Sequence, residues 1–281
     1  MPNPNLRYLV PRVARHFMPE RLTRFLLLHS LVIRPGLETA DPEEAVSRYT
    51  ECFRARGLSM QGKRILVFGY GGRYDIGVRL LEAGAGHVIL CEKNAPPDEP
   101  HNATLLPKFE RYLSLEDGRV RPRGELISLV QGDIRSMRPG VDMPLCDSVV
   151  SSSVYEHLDD VDGITCALAG FTRPGGVQFH YVDLRDHFFK YPFEMLAYSE
   201  KTWRGWLDPS SHHNRYRVRD YRAAFEKYFD SVEIDILARD ETAFAAARMR
   251  IRPEFISGDA ANDSVTLIRV AASGPRPSMP S

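Results

Sequence analysis

The residues able to do chemistry fall into two sets. The first begins in the stretch "RILVFGYGGRYDIG", where Gly69, Tyr70, Gly71 and Gly72 end an apolar run. Glycine at such a turn leaves room for a ligand beside the backbone and admits angles that other residues avoid. Roughly twenty residues later "HVILCEKN" ends in Glu92 and Lys93, the distance at which an acid reaches the two hydroxyls of a ribose. A third run ends in "QGDIRSM", where Asp133 is expected to accept from the exocyclic amine of a purine and Ile134 to lie against its ring. The second set is titratable. Asp183, Asp186 and His187 in "HYVDLRDHFF", with His157 in "YEHLDD", are candidates for taking or orienting a proton. His187 has the unperturbed pKa best suited to that task.

Both sets need strand ends to stand on, and the sequence supplies them. Strand-like runs at "RILVFG", "HVILCE", "ELISLVQGD", "DSVVSSS", "VQFHYVDL", "VEIDILA" and "SVTLIRVAA" alternate with helical or loop segments. Several are apolar almost throughout, as strands covered on both faces must be. The alternation predicts an α/β fold: a doubly wound, Rossmann-like, mostly parallel sheet. Residues 1–60 read as a helical extension, in which "DPEEAVSRYTECFRARG" carries an Asp cap and a Pro at the first helical position. The main domain is expected over 61–272, and the Pro/Ser-rich end, 273–281, as a frayed tail.

Bulk properties narrow the function. The chain has 281 residues, 43% of them hydrophobic, with 37 basic and 37 acidic side chains. That balance argues against a nucleic-acid partner, which calls for a basic footprint. The four cysteines form no CxxC pair and fit buried free thiols in a reducing compartment. With no stretch long enough to span a bilayer and no signal-peptide pattern, the expected location is the cytoplasm. Residues 1–36 carry six arginines and one acid, so the first helices, including "PERLTRFLLLHSLVIRP", are basic and amphipathic. They either pack over the mouth of the following domain or dock to a membrane surface. The oligomeric state is left open.

The ordered set "VFGYGG", "LCEKN", "QGDIRSM", "CDSVVSSSVYEHLDD" and "FTRPGGVQFHYVDL" resembles the class I S-adenosylmethionine-dependent methyltransferases over about residues 62–184. The resemblance implies a seven-stranded sheet with an antiparallel last strand and S-adenosylmethionine as cofactor. It implies that Gly69, Gly71 and Gly72 surround the methionine part and that Glu92 holds the ribose. Asp133 and Ile134 would form the adenine site, and Ser151, Ser152 and Ser153 would line the reactive side. Val67 stands where the family often has an acid, so Asp75 is expected to replace that contact. A Glu-His pair is common at 156–157 in the family, which implies that His157 positions the loop. Tyr74, in place of a third glycine, weighs against a nicotinamide dinucleotide.

Residues 185–219 read as a substrate-binding insertion. Aromatic faces and polar tips there suit a sugar or an aromatic ring. Arg185, Trp203, Trp206, His212, His213, Asn214, Arg215 and Arg217 are the candidate contacts, Arg215 and Arg217 for a carboxylate or phosphate. No metal is expected, because His180 and Asp183 fall on opposite faces of a strand. The activity implied is methyl transfer to a small molecule, most readily at an oxygen. A nucleotide-dependent oxidoreductase and a non-catalytic docking module stand as alternatives.

Overall fold

The computed structural model describes residues 5–19, 22, 41–188, 190–209 and 212–276. Strands β1 (Arg64–Phe68), β2 (His87–Glu92), β5 (Ile127–Gln131), β6 (Cys146–Ser152), β7 (Thr172–Asp183), β8 (Phe229–Arg239) and β9 (Val265–Pro275) form one sheet in the order β5-β2-β1-β6-β7-β9-β8. The first five are parallel, and β9 runs antiparallel to both β7 and β8. This is the doubly wound, seven-stranded arrangement with an antiparallel last strand that the sequence implies.

Side-chain alternation divides each central strand between two cores. In β1, Ile65 and Val67 join one apolar cluster while Leu66 and Phe68 join the other. The first cluster is closed by α2 (Pro42–Ala55) and α3 (Asp75–Glu82), the second by α5 (Val161–Phe171) and α6 (Val218–Glu226). Helix α2 starts as expected: Asp41 accepts from the Glu44 N–H at 3.0 Å, with Pro42 next.

Two boundaries and one added element differ from expectation. Helix α2 is part of the main domain, because Ala45, Val46, Tyr49, Cys52 and Phe53 are buried in the cluster that holds β1. The expected tail joins the sheet as far as Pro275, which pairs with Phe229; 277–281 lie outside the described residues, as does most of "PERLTRFLLLHSLVIRP". A small hairpin, β3 (Leu113–Glu116) and β4 (Arg119–Pro122), precedes β5. Its turn is Asp117-Gly118, both at positive φ (49° and 75°), a hairpin signal readable in the sequence. Among the described residues no helix is long and apolar enough to cross a membrane.

Within β7, His180 is fully buried, its Nδ1 2.8 Å from Ser151 Oγ and its Nε2 2.8 Å from Gln178 Oε1. Ser151 therefore faces the core and is spent on His180, which corrects its expected cofactor contact. Burial pushes the His180 pKa down to about 3. The folded state thus binds this proton less readily than the unfolded chain does. Its stability contribution is complete above the ordinary histidine pKa and is lost as pH falls from there toward 3. We expect the urea midpoint to fall on acidification, with His180 contributing a slope of about 1.4 kcal/mol per pH unit in that window. His180→Gln should flatten the profile by that amount, measured as unfolding free energy against pH.

Candidate functional site

The carboxyl ends of β1, β2, β6 and β7 meet at one edge of the sheet, and the glycine turn stands there. Gly69 and Gly72 have positive φ (81° and 86°). A Cβ at Gly69 would lie 2.5 Å from Val154 Cγ2, and one at Gly72 would lie 2.3 Å from the Pro96 carbonyl oxygen. Both glycines are therefore demanded by the protein's own packing. The turn is pressed on one side by the chain leaving β6 and on the other by the loop after β2. Tyr70 is buried in the core beneath.

Glu92 faces this turn. Its Oε2 accepts from the Gly71 N–H at 3.2 Å, while Oε1 accepts from the N–H groups of Lys93 (2.9 Å) and Asn94 (3.0 Å). The Lys93 ammonium turns instead to Asp133 Oδ2, 3.1 Å away. Asp133 is also gripped by Arg135 through its Nε (3.0 Å), Nη2 (2.6 Å) and backbone N–H (3.0 Å). Arg135, its backbone and Lys93 hold the Asp133 carboxyl well below the usual range. Each of its two oxygens already accepts two donors, so it can take an amine only if Arg135 or Lys93 moves. Ile134 does not lie open at the edge; it is packed into the second core with Leu66, Ile89 and Val149. Asp75 is engaged by His101, Nε2 to Oδ2 2.7 Å. Ser152 accepts from the Tyr49 hydroxyl at 3.2 Å, a tie to α2. Of the expected nucleoside contacts, Glu92 is the one held against the turn.

The titratable candidates separate. Asp186 is fully buried, bonded by the Tyr8 hydroxyl at 2.5 Å and the Phe188 N–H at 2.8 Å, and paired with Arg12 at 3.3 Å. It anchors helix α1 (Leu6–His16) over the insertion and is not placed as a base. Tyr8 stacks on Tyr198 and also meets Phe188 and Tyr191, and Arg12 lies 4.7 Å from the Trp203 ring centre. α1 therefore packs on the insertion; most of the other basic stretch of the N-terminus, 20–36, lies outside the described residues. Asp183 is chelated by Arg185 through Nε (2.9 Å), Nη2 (2.6 Å) and the backbone N–H (2.9 Å). Asp183 is buried in this chelate, whereas the Arg185 side chain stays 41% exposed.

His157 and His187 converge, and His213 joins them. Ring centres are 4.8 Å apart for His157 and His187, 4.7 Å for His187 and His213, and 5.5 Å for His157 and His213. Burial lowers the pKa of all three, that of His187 to about 2, with Arg12 and Arg15 adding to the effect on His187. At neutral pH each ring is uncharged and keeps a lone pair. Beside them Glu156 is buried, and its carboxyl is pushed well above the ordinary range by burial and by Asp183. Sequence reasoning missed Glu156, Tyr8 and Arg12 as parts of this edge; "YEH" was the one visible signal for the first.

The insertion is mostly self-supporting. Trp203 is buried and donates its indole N–H to the His213 carbonyl at 3.1 Å, whereas Trp206 is exposed and meets Phe17. Arg215 pairs with Glu200 and donates to the carbonyls of Met195 (3.2 Å) and Tyr198 (2.5 Å). Arg217 donates to the carbonyls of Leu184 (2.9 Å), Asp263 (3.2 Å) and Val265 (2.6 Å). Asn214 bridges the carbonyls of Tyr155 (2.7 Å) and Leu158 (3.1 Å). Arg217 and Asn214 tie the insertion to the sheet and to the chain leaving β6, and Arg215 braces the insertion internally, so the polar atoms expected to meet substrate are engaged by the protein itself. A pocket of about 520 Å³ lies between the insertion and helix α6, lined by Trp203, His212, His213, Asn214 and Arg215 on one side and by Asp220 and Ala224 on the other. The glycine turn is not part of its wall.

No protein-family model and no curated protein sequence matches the chain. Among solved structures it is similar to an S-adenosylmethionine-dependent methyltransferase from Mesorhizobium loti, at 18% identity over 80% of this chain and 96% of that one, TM-score 0.46. It is similar to the 1,6-didemethyltoxoflavin-N1-methyltransferase of Burkholderia thailandensis, at 14% identity over 84% and 80% of the two chains, TM-score 0.49. It is also similar to a phosphoethanolamine N-methyltransferase 2 of Haemonchus contortus, at 16% identity over 82% of this chain and 53% of that one, TM-score 0.49. Likeness this distant identifies no substrate.

The arginine assignments are open to test. Arg217→Ala removes three charged hydrogen bonds to buried carbonyls, and hydrogen bonds of that kind contribute about 1.5–3 kcal/mol each. We expect a loss of at least about 3 kcal/mol in unfolding free energy by chemical denaturation.

Proposed function

We propose that this protein transfers the methyl group of S-adenosylmethionine to a small-molecule acceptor, at an oxygen of a sugar or natural product. The observation that carries the reading is Glu92, fixed at the end of β2 with its carboxylate against the Gly71 N–H. Each of its oxygens has two lone pairs. Oε2 accepts one backbone bond and keeps capacity for a ribose hydroxyl beside the turn. Tyr74, fully buried where a dinucleotide site prefers glycine, favours this cofactor over a nicotinamide.

The cofactor brings an activated methyl on a sulfonium, so the protein has to hold a nucleophile in line and accept its proton. Val154 seats the start of the 154–157 turn on Gly69, so the histidine group begins where the cofactor edge ends. Neutral His157, His187 and His213 offer lone pairs to an acceptor hydroxyl there, with α1 packed on the insertion beside them. Hydroxylated acceptors suit such an array of neutral nitrogen groups.

Calorimetric titration with S-adenosylhomocysteine, with NADH as control, tests the cofactor. We expect micromolar binding of the first and none of the second. Glu92→Ala should weaken that binding by about 1–3 kcal/mol through loss of charged hydrogen bonds. Unchanged affinity would remove Glu92 from the site, and NADH binding alone would turn the reading to an oxidoreductase.

A further inference from the structure

We propose that His157, His187 and His213 bind a divalent transition-metal ion of the zinc class, with a fourth position open to a ligand oxygen. One ring nitrogen from each histidine lies within 4.8 Å of the others, and among the described residues these three form the group with that geometry. A tetrahedral zinc site, with zinc–nitrogen bonds of about 2.0–2.1 Å, has nitrogen–nitrogen edges of roughly 3.3 Å. Small rotations of the side chains close the difference. Three protein ligands plus one open position is the composition of catalytic zinc sites.

Two buried side chains here lack hydrogen-bond partners within the protein. Both ring nitrogens of His213 lack a hydrogen-bond partner although the residue is 1% exposed. Both carboxylate oxygens of Glu156 are likewise without one, also at 1% exposure. The backbone N–H groups of Glu156 and Asp183 act on this carboxylate electrostatically without bonding it by normal geometry. Buried polar atoms left in that state cost free energy. A cation among the rings satisfies the nitrogen lone pair, and the Glu156 carboxyl group stands beside it, its Oε1 3.9 Å from His187 Nε2.

The surroundings of the rings are those of ligands held ready. His157 Nδ1 lies 2.8 Å from the His212 carbonyl oxygen; donating there fixes the tautomer and leaves Nε2 to bind. His212 presents that carbonyl from the left-handed region, φ 52°, with its own ring held by Asp208 at 2.6 Å. The other oxygen of Asp208 accepts the His213 N–H at 2.9 Å, and the His213 carbonyl accepts from Trp203. One aspartate thus sets both the partner of His157 and the backbone of His213. The expectation of no metal weighed His180, Asp183 and His187; the fold assembles a different trio. The ion site stands on these contacts alone, while its use in orienting an acceptor oxygen rests on the methyl-transfer reading; with an ion bound, that oxygen meets the ion in place of the ring lone pairs.

The test uses the full chain after chelator treatment, titrated with Co²⁺ and followed by visible absorption. We expect saturable one-to-one uptake with the ligand-field bands of a four-coordinate ion, displacement by Zn²⁺, and a higher unfolding midpoint with Zn²⁺ bound. His213→Ala should weaken uptake by about 100-fold or more; His157→Gln gives a second variant in case the first fails to fold. No uptake by the natural chain, or uptake equal in a folded variant, overturns the proposal. S-adenosylhomocysteine binding measured on the same samples separates failure of the metal site from failure of the methyl-transfer reading.

Discussion

The structure depends on the parallel pairing of β6 between β1 and β7. Parallel neighbours end together, so the turn after β1, the turn after β6 and the loop after β7 must share one edge. Val154 then abuts Gly69, and the segments that carry His157 and His187 leave adjacent strands side by side. A shift of β6 by one residue would invert its side chains and separate the two sets of chemistry.

Around that edge the fold places charge where it can be neutralised. Asp183 and Asp186, close in sequence, each receive an arginine, one from the same loop and one from α1. Arg217 enters the interior and meets three carbonyls, and Arg215 meets two carbonyls and a carboxylate. Ionised side chains tolerate burial on those terms. His213 and Glu156 are among the buried side chains whose polar atoms have no hydrogen-bond partner within the protein, as are the Arg12 guanidinium and the Ser148 hydroxyl. His213 and Glu156 differ from the others in standing beside two further imidazoles, those of His157 and His187.

Helix α1 adds a second layer. Its inward residues Tyr8 and Arg12 reach Asp186 and Trp203, so the insertion and the amino terminus brace each other over the histidines. A basic, amphipathic pattern in sequence does not distinguish this from a surface-docking helix. The difference lies in which arginine finds a buried carboxylate.

By itself the sequence determined the sheet and the glycine turn with its acid. Unbroken apolar runs can only be strands covered on both faces, and a glycine turn with an acid some twenty residues on is a local pattern. It also showed which loops carry the chemistry, because strand ends follow from strand positions. Side-chain roles were decided only by tertiary structure. Asp186, Arg215, Arg217 and Ser151 look free in sequence and are occupied by α1, by carbonyls and by His180. His213, more than fifty positions from His157, reaches it because Asn214 ties the insertion to the carbonyls of Tyr155 and Leu158. A hydrogen bond or an ion pair depends on where two atoms arrive in space, and no spacing along the chain encodes that arrival.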